Sequence, residues 1–343
     1  MPIWGEIQKE ISDLAKIDQN PFDKVRRKYL YALNQKRQRA TILYATRFTQ
    51  GFRPGIQPDM TTITDEDLQG FMTVMHGLEE PSLDLILHSP GGSLEAAEGI
   101  VKYLRSKFHD DICVIVPQLA LSAATMIACS ANSIIMGKHS FLGPVDPQFI
   151  LPMEQGARQV TAQNVEDQFK QAQKDCADPA KMGAWLPMLK QYGPDLLQKC
   201  RHASILSESL VAEWLERYMF KNQPNRRKKA KHIAHWLASH KAFGTHGRHL
   251  GRDDLRKEGF DTIVDLESDQ ETQDLVLSVF HASTIAFDGT PAVKIIENHK
   301  GIAFIKAAAA PQMMMPPGIM PSNFPGKSPP GFMPPTIAPK TPP

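Results

Sequence analysis

Hydrophobic residues follow two different spacings along most of the chain. Between positions 41 and 136, short apolar runs are separated by segments in which apolar residues recur three and four positions apart. The first spacing is typical of buried strands, and the second of helices that pack on a sheet. Strands that alternate with helices form parallel βαβ units, so the pattern predicts an α/β fold with a twisted, mostly parallel sheet. The predicted strands are 41–45, 83–88, 112–116, 133–136 and 293–297.

The first 36 residues predict an amphipathic helical arm. Ile3, Ile7, Ile11 and Leu14 recur at helical spacing, with charged residues between them. Such a stripe packs against the body or a partner subunit. The alternative is a helix on a membrane surface, because Trp4 lies at the edge of the stripe.

The later part of the chain has a different pattern. Residues 160–220 are predicted to be all helical, with breaks at Pro187 and Pro194. Twelve of the 33 residues in 311–343 are proline, with methionines between them. Proline fixes φ and lacks an N–H, so we expect 307–343 to be a disordered tail, either solvated or used for docking. The main domain is then 37–306.

Composition narrows the class of protein. Of the 343 residues, 42% are hydrophobic and 22% charged, as in soluble globular proteins. A net charge of +2 is too small to indicate a nucleic-acid or membrane partner, and we expect no nucleic acid. The four cysteines form no CxxC pair, which argues against a zinc site or disulfides. The start of the chain does not resemble a signal peptide, and no apolar run is long enough to span a bilayer. We therefore expect a cytoplasmic protein.

Two strand-to-helix turns carry candidate chemistry. The first is Ser89-Pro90-Gly91-Gly92-Ser93, in which two glycines let the backbone approach a ligand at a helix N-terminus. The second, about 30 residues later, places Ser122 among small residues at the start of a helix. A serine there is either a nucleophile or a helix cap. Consecutive βαβ units bring both turns to the carboxyl edge of one sheet.

The pair of turns resembles the Clp-protease/crotonase superfamily, and within it the serine dehydrogenase proteinase family, related to signal peptide peptidase A. The segments 136–148 and 185–192 are similar to that family as well, and the resemblance covers about residues 30–300. It implies a Clp/crotonase-like fold and a serine peptidase with Ser122 as nucleophile. The amides of Gly91 or Gly92 and of Ala123 would hold the oxyanion.

The resemblance leaves the general base open. Val145 stands where a Clp-type protease has its histidine, and His139 lies six residues too early. Relatives of signal peptide peptidase A use a lysine instead, which must be held neutral by burial. Lys190 follows an apolar stretch that could bury it, so it is the preferred base. Lys174 and Lys181 are the alternatives.

The predicted function is a peptidase that needs no ATP, cofactor or metal. His232 and His235 share a helical face, but no carboxylate completes a zinc-protease motif. The expected partners are a peptide or protein substrate and further copies of the chain, with peripheral contact to the inner membrane face as an option. Two alternatives stay open: an acyl-CoA hydratase or thioesterase on the same fold, and an inactive scaffold.

Overall fold

The computed structural model describes residues 3–153, 156–193 and 195–308. Its helices are α1 (Trp4–Leu14), α2 (Pro21–Arg37), α3 (Pro58–Thr61), α4 (Glu66–Met75), α5 (Leu94–Phe108), α6 (Ala123–Cys129), α7 (Ala162–Asp175), α8 (Pro179–Leu189), α9 (Leu196–Trp214), α10 (Arg226–Ala238), α11 (His240–Phe243), α12 (Arg252–Lys257) and α13 (Gln270–Gly289). Its strands are β1 (Ala40–Thr46), β2 (Leu83–His88), β3 (Ile112–Val116), β4 (Leu119–Ala120), β5 (Ser133–Met136), β6 (Phe141–Leu142), β7 (Gln148–Met153), β8 (Gly156–Thr161), β9 (Leu250–Gly251), β10 (Ile263–Asp265), β11 (Ala292–Asn298) and β12 (Ala303–Ala307). A π-helical turn (Leu215–Met219) continues α9, and a 3₁₀ turn (Leu266–Ser268) precedes α13.

The central sheet has seven strands in the order β10-β5-β3-β2-β1-β11-β12. The strands from β10 to β1 pair in parallel, whereas β11 and β12 add antiparallel strands beyond β1. The predicted α/β fold with a mostly parallel sheet is therefore confirmed, and each predicted strand lies within an observed one. The sequence did not predict the two edge strands, β10 and β12, which expose part of their residues.

Helices cover both faces of this sheet. Along β1, Tyr44 belongs to the core beneath α4, α5 and α6, and its neighbour Leu43 to the core beneath α2 and α13. Successive strand residues point to opposite faces, so a strand buried on both sides has the continuous apolar run seen in the sequence. The candidate turns follow β2 and β3, in the middle of this layered body.

The N-terminal segment forms two helices that pack on the body. In α1, Ile7 and Ile11 are buried against Ala282 and Ile285 of α13. The apolar stripe therefore packs against the body, one of the two alternatives that the sequence left open. Trp4 stays 42% exposed, so the outer edge of the stripe remains available for other contacts.

Residues between 148 and 201 contribute to an apolar cluster that is separate from the core around the central sheet. A hairpin of β7 and β8 precedes the helices α7 and α8, although the sequence predicted only helix after residue 160. The predicted break at Pro187 is wrong, since α8 continues through it to Leu189. Pro187 lies in the last turn, two residues before the helix ends, so the helix loses only the one N–H bond that proline lacks. The break predicted at Pro194 lies outside the described residues.

The described chain ends just beyond β12. Ala307 pairs with Ala292, and the amide of Ala308 donates to the carbonyl of Pro291 at 2.9 Å. These two residues, expected to begin the tail, are thus attached to the sheet, and the rest of the expected tail lies outside the described residues. Within the described part, no helix combines the length and the apolar character needed to cross a bilayer.

Candidate active site

The two candidate turns are joined by their backbones. The amide of Ser89 donates to the carbonyl of Leu119 at 3.0 Å, and the amide of Leu121 donates to the carbonyl of Ser89 at 3.0 Å. A parallel bridge between Ser89 and Ala120 results. The glycines that follow Ser89 are thereby held beside Ser122, as the parallel pattern predicts.

Gly91 lies directly against the serine. Its φ of +97° belongs to the region that favours glycine. A Cβ at this position would lie 2.7 Å from Ser122 Cβ and 2.9 Å from the Ala123 nitrogen. Any side chain at position 91 would therefore displace the nucleophile candidate or the start of α6.

Gly92 is held against a segment that sequence reasoning missed. A Cβ on Gly92 would lie 2.3 Å from the carbonyl oxygen of Ile63. The amide of Ile63 donates to the carbonyl of Gly91 at 2.8 Å, and the amide of Ser93 donates to the carbonyl of Ile63 at 2.9 Å. The glycine turn is thus clamped between Ser122 on one side and Ile63 on the other.

Ser122 has a strained backbone. Its φ of 52° and ψ of −120° lie in a region that residues with a side chain rarely occupy, at a cost of about 1–3 kcal/mol. The hydroxyl makes no capping bond to α6, and no other described residue hydrogen-bonds it. The interpretation of Ser122 as a helix cap is therefore wrong. A strained serine between a strand and a helix is the geometry of a nucleophile turn.

Two amides next to the serine have no acceptor among the described residues. They are the N–H groups of Gly92 and Ala123. The N–H of Gly91, in contrast, donates to Ser89 Oγ at 3.2 Å. Of the two glycine amides considered from the sequence, the one at Gly92 is thus available to a substrate oxygen. Together with Ala123 it can form a two-donor oxyanion site.

Comparison with known proteins agrees with this geometry. Residues 14–178 match the family model of the ClpP-like SDH-type serine proteinases. This part of the chain resembles that family. Two uncharacterized proteins of Methanocaldococcus jannaschii are similar as well, MJ0137 with 36% identity over 147 residues and MJ1495 with 43% identity over 70 residues. The matches cover 43% and 20% of this chain.

The chain spans only part of these relatives, 51% of MJ0137 and 24% of MJ1495. Among solved structures, a mutant of the 1510-N membrane-bound stomatin-specific protease matches with 15% identity and a TM-score of 0.35. That match covers 59% of this chain and 74% of the other. The similarity to serine proteinases therefore rests on the model match to residues 14–178.

The three lysine candidates lie on the surface of the described chain. Lys174, Lys181 and Lys190 are all exposed, and α8 buries none of its residues although it is apolar. The expectation that the stretch before Lys190 buries its ammonium group is wrong for the single chain. Apolar neighbours along a helix shield a lysine only if another element packs over them.

Val145, at the position of the Clp-type histidine, is part of the core. Its amide donates to the carbonyl of Leu237 at 2.9 Å, and its carbonyl accepts from the Ser207 hydroxyl at 2.8 Å. The next residue, Asp146, is buried and contacts two histidines: His246 Nδ1 at 2.6 Å and His240 Nδ1 at 3.0 Å. Sequence reasoning missed this cluster, because Asp146 lies 94 and 100 residues before the two histidines.

The segment leading to this cluster begins beside the nucleophile turn. A Cβ on Gly143 would lie 3.1 Å from Leu121 Cδ2, and the amide of Gly143 donates to Thr125 Oγ1 in α6 at 2.9 Å. Asp146 follows three residues later. Among the described residues, no group of three His, Cys, Asp or Glu side chains could hold a metal ion. Asp146 and the two histidines thus form a hydrogen-bonded cluster, which lies at the end of a segment that begins beside the Ser122 turn.

His88, directly before the first turn, is buried in an aromatic environment. Its ring lies 4.7 Å from Phe48 and 4.9 Å from Phe280, between ring centroids. Neither ring nitrogen has a partner among the described residues. Burial lowers the pKa of His88 to about 3, because the charged imidazolium would lose its hydration without an anion to replace it.

We expect His88 to make the fold acid-sensitive. Between pH 6.5 and about 3, His88 binds a proton in the unfolded chain but not in the folded one. The free energy of unfolding therefore falls as the pH falls, by about 1.4 kcal/mol per pH unit from this group. Urea unfolding of wild type and His88→Leu across this range measures the difference. An exposed control, His235→Leu, should keep the wild-type slope, and an unchanged slope in His88→Leu would contradict the assignment.

Proposed function

We propose that the chain is a serine-type peptidase in which Ser122 attacks the carbonyl carbon of a peptide bond. The observation that carries the proposal is the strained backbone of Ser122, with a hydroxyl that caps nothing next to Gly91. Strain of this kind persists where function needs it, because an unstrained cap would be more stable. The family match to residues 14–178 supports the same reaction class.

The reaction divides between the serine and the two free amides. Ser122 Oγ bonds to the carbonyl carbon while its proton passes to a general base. The amides of Gly92 and Ala123 donate to the carbonyl oxygen as it becomes negative. The C–N bond then breaks, the amine leaves with the proton from the base, and an ester remains on Ser122. Water attacks this ester in the same way, releases the acid and restores the hydroxyl. No step needs ATP or a metal.

The proposed general base is Lys190, with Lys174 and Lys181 as alternatives in a Ser–Lys dyad. An ammonium group becomes a base near neutral pH only when it is desolvated. The apolar residues Met182, Leu186 and Met188 of α8 are exposed. A second copy of the chain that packs on them would remove water from the lysine. The proposed homo-oligomer and the lysine base therefore depend on each other.

A second candidate base comes from the Asp146 cluster. A histidine held by a carboxylate is the usual arrangement of a serine-hydrolase base, because the carboxylate orients the ring and stabilises its charged form. His240 and His246 both meet this condition through Asp146. This base would need no second subunit.

The dependence of activity on pH distinguishes the two bases. With a lysine base, kcat/KM should rise through a single ionisation in the neutral-to-alkaline range; with a histidine base, it should show a step near pH 6.5. Lys190→Met should remove the activity in the first case, and His246→Gln or His240→Gln in the second. Lys199→Met, an exposed lysine on α9, is the control. If Lys174→Met, Lys181→Met and Lys190→Met all stay active, the lysine proposal fails.

Substrate class is tested by turnover and by labelling. We expect the protein to cleave a casein-type substrate and to carry a single fluorophosphonate adduct, at Ser122 by mass spectrometry. Turnover of an acyl thioester without peptide cleavage would favour the hydratase or thioesterase alternative. Neither turnover nor labelling, in an oligomer as well as a monomer, would favour the inactive scaffold.

The cellular location remains a proposal. A cytoplasmic peptidase with peripheral membrane contact is consistent with Ile3 and Trp4, which project from the packed stripe of α1 and stay 61% and 42% exposed. Amphipathic edges with tryptophan favour the membrane interface. Vesicle co-sedimentation of wild type and a double Ile3→Ser, Trp4→Ser variant would test the contact.

A further inference from the structure

A buried ion pair lies behind the glycine turn and serves no step of the reaction above. Lys294 of β11 and Asp67 of α4 contact each other at 2.5 Å, and both side chains are almost completely buried. Removing two charges from water costs several kcal/mol per ion, and the mutual attraction of the pair often fails to offset it. A buried pair is therefore weak evidence for stability, and its position calls for another explanation.

The pair holds a three-residue segment at both ends. Lys294 Nζ donates to the carbonyl of Thr62 at 2.8 Å. Asp67 Oδ2 accepts from the amide of Thr64 at 3.0 Å. Ile63, between these two anchors, is the residue that hydrogen-bonds Gly91 and Ser93 through its own amide and carbonyl. The charges of the pair are thereby linked to the backbone of the glycine turn.

A second connection runs through Tyr44. Its hydroxyl donates to Asp67 Oδ2 at 2.7 Å, and the Ser89 side chain also interacts with this hydroxyl. Ser89 Oγ in turn accepts from the amide of Gly91. Burial next to the Asp67 carboxylate raises the pKa of Tyr44, so the phenol keeps its proton. The Gly91 amide is thus engaged within the protein, which leaves Gly92 to supply the free donor.

We propose that Lys294 and Asp67, with Tyr44, are positioning residues that set the glycine turn against Ser122. They act through Ile63 and Ser89 and do not touch the substrate. Pre-organised donors stabilise an oxyanion because they need not reorient during the reaction, and a misplacement of 1 Å can lower the rate by about 100-fold. The inference rests on the proposed peptidase function.

The test removes both charges together, so that no buried charge is left alone. We expect Asp67→Asn/Lys294→Met to lower kcat for peptide cleavage by about 10-fold to 100-fold, with KM nearly unchanged. The matched control is Arg26→Met/Glu297→Gln, because Arg26 and Glu297 form another fully buried pair that also uses β11. This control should lower the melting temperature by a similar amount and leave kcat per folded molecule unchanged.

A second, more conservative variant tests the same role if the double variant does not fold. Tyr44→Phe keeps the aromatic ring in the core and removes only the hydroxyl. We expect a smaller decrease of kcat in the same direction, with KM again nearly unchanged. Equal effects of the two double variants on kcat, or a full kcat in both Tyr44→Phe and Asp67→Asn/Lys294→Met, would overturn the positioning role.

Hydrogen exchange separates this inference from the proposed function. Exchange of the Ile63 and Ser93 amides, which bind the turn, should be faster in Asp67→Asn/Lys294→Met and in Tyr44→Phe than in wild type and the control. If wild type is not labelled at Ser122, the peptidase proposal fails, while the exchange data still test the clamp. If labelling occurs and exchange does not change, the clamp alone is wrong.

Discussion

Ser122→Ala should abolish peptide cleavage and fluorophosphonate labelling while the protein stays folded. Removal of the nucleophile from a serine hydrolase lowers kcat by several orders of magnitude, on the order of 10⁶-fold in the best-studied case. The fold should tolerate the change because the hydroxyl makes no hydrogen bond to α6. Steady-state kinetics and circular dichroism of the two proteins measure both effects.

Two further variants show whether Ser122 is strained for function. Ser122→Gly should be as inactive as Ser122→Ala but more stable, since glycine accepts the φ of 52° without the penalty that a Cβ carries. Asp269→Ala removes a real helix cap, which accepts from the Thr272 amide at 3.1 Å. It should cost about 1 kcal/mol of stability and leave activity unchanged. Wild-type turnover by Ser122→Ala would exclude the nucleophile role.

Gly91→Ala should lower kcat by about 100-fold or more, the scale for one lost oxyanion donor. The added methyl group would lie 2.6 Å from the carbonyl oxygen of Leu121 and 2.7 Å from Ser122 Cβ, so Ser122 and the Ala123 amide must both move. The positive φ of Gly91 adds strain of about 1–2 kcal/mol. Kinetics and thermal unfolding should therefore both show a loss.

Matched glycine variants identify the cause of that loss. Gly92→Val should behave similarly, because its Cβ would collide with the backbone of Ile63. Gly99→Ala, inside α5 with nothing within 4 Å of the new methyl group, should stabilise the protein by about 0.5–1 kcal/mol and keep full activity. A Gly91→Ala enzyme with normal kcat would place the oxyanion site elsewhere.

Apolar spacing predicted the central sheet because its strands are buried on both faces. β1, β2 and β3 are buried at every position, so their sequences are continuous apolar runs. β8, in contrast, exposes four of its six residues. Without a buried face a strand has no characteristic spacing, and the hairpin it forms with β7 was missed for that reason.

The environment of a candidate general base cannot be predicted from the residues next to it in the sequence. Lys190 follows apolar residues, but α8 packs mainly along α7 and buries none of its residues. His240 and His246 meet Asp146 across 94 and 100 residues of sequence. Burial and pairing of this kind depend on which elements pack together, and no local pattern encodes that.

The sequence by itself determined the fold class, the family resemblance and the position of the two turns. These depend on short-range chemistry: glycines that accept positive φ, and small residues that let α6 begin directly after Ser122. Only the tertiary structure decided that the Ser122 hydroxyl caps nothing, that Gly92 rather than Gly91 has a free amide, and that Ile63 clamps the turn. The pair behind that clamp joins Asp67 to Lys294, 227 residues later. Such a contact exists because α4 and β11 meet in the folded chain, where two opposite charges far apart in sequence compensate each other in a medium of low dielectric constant.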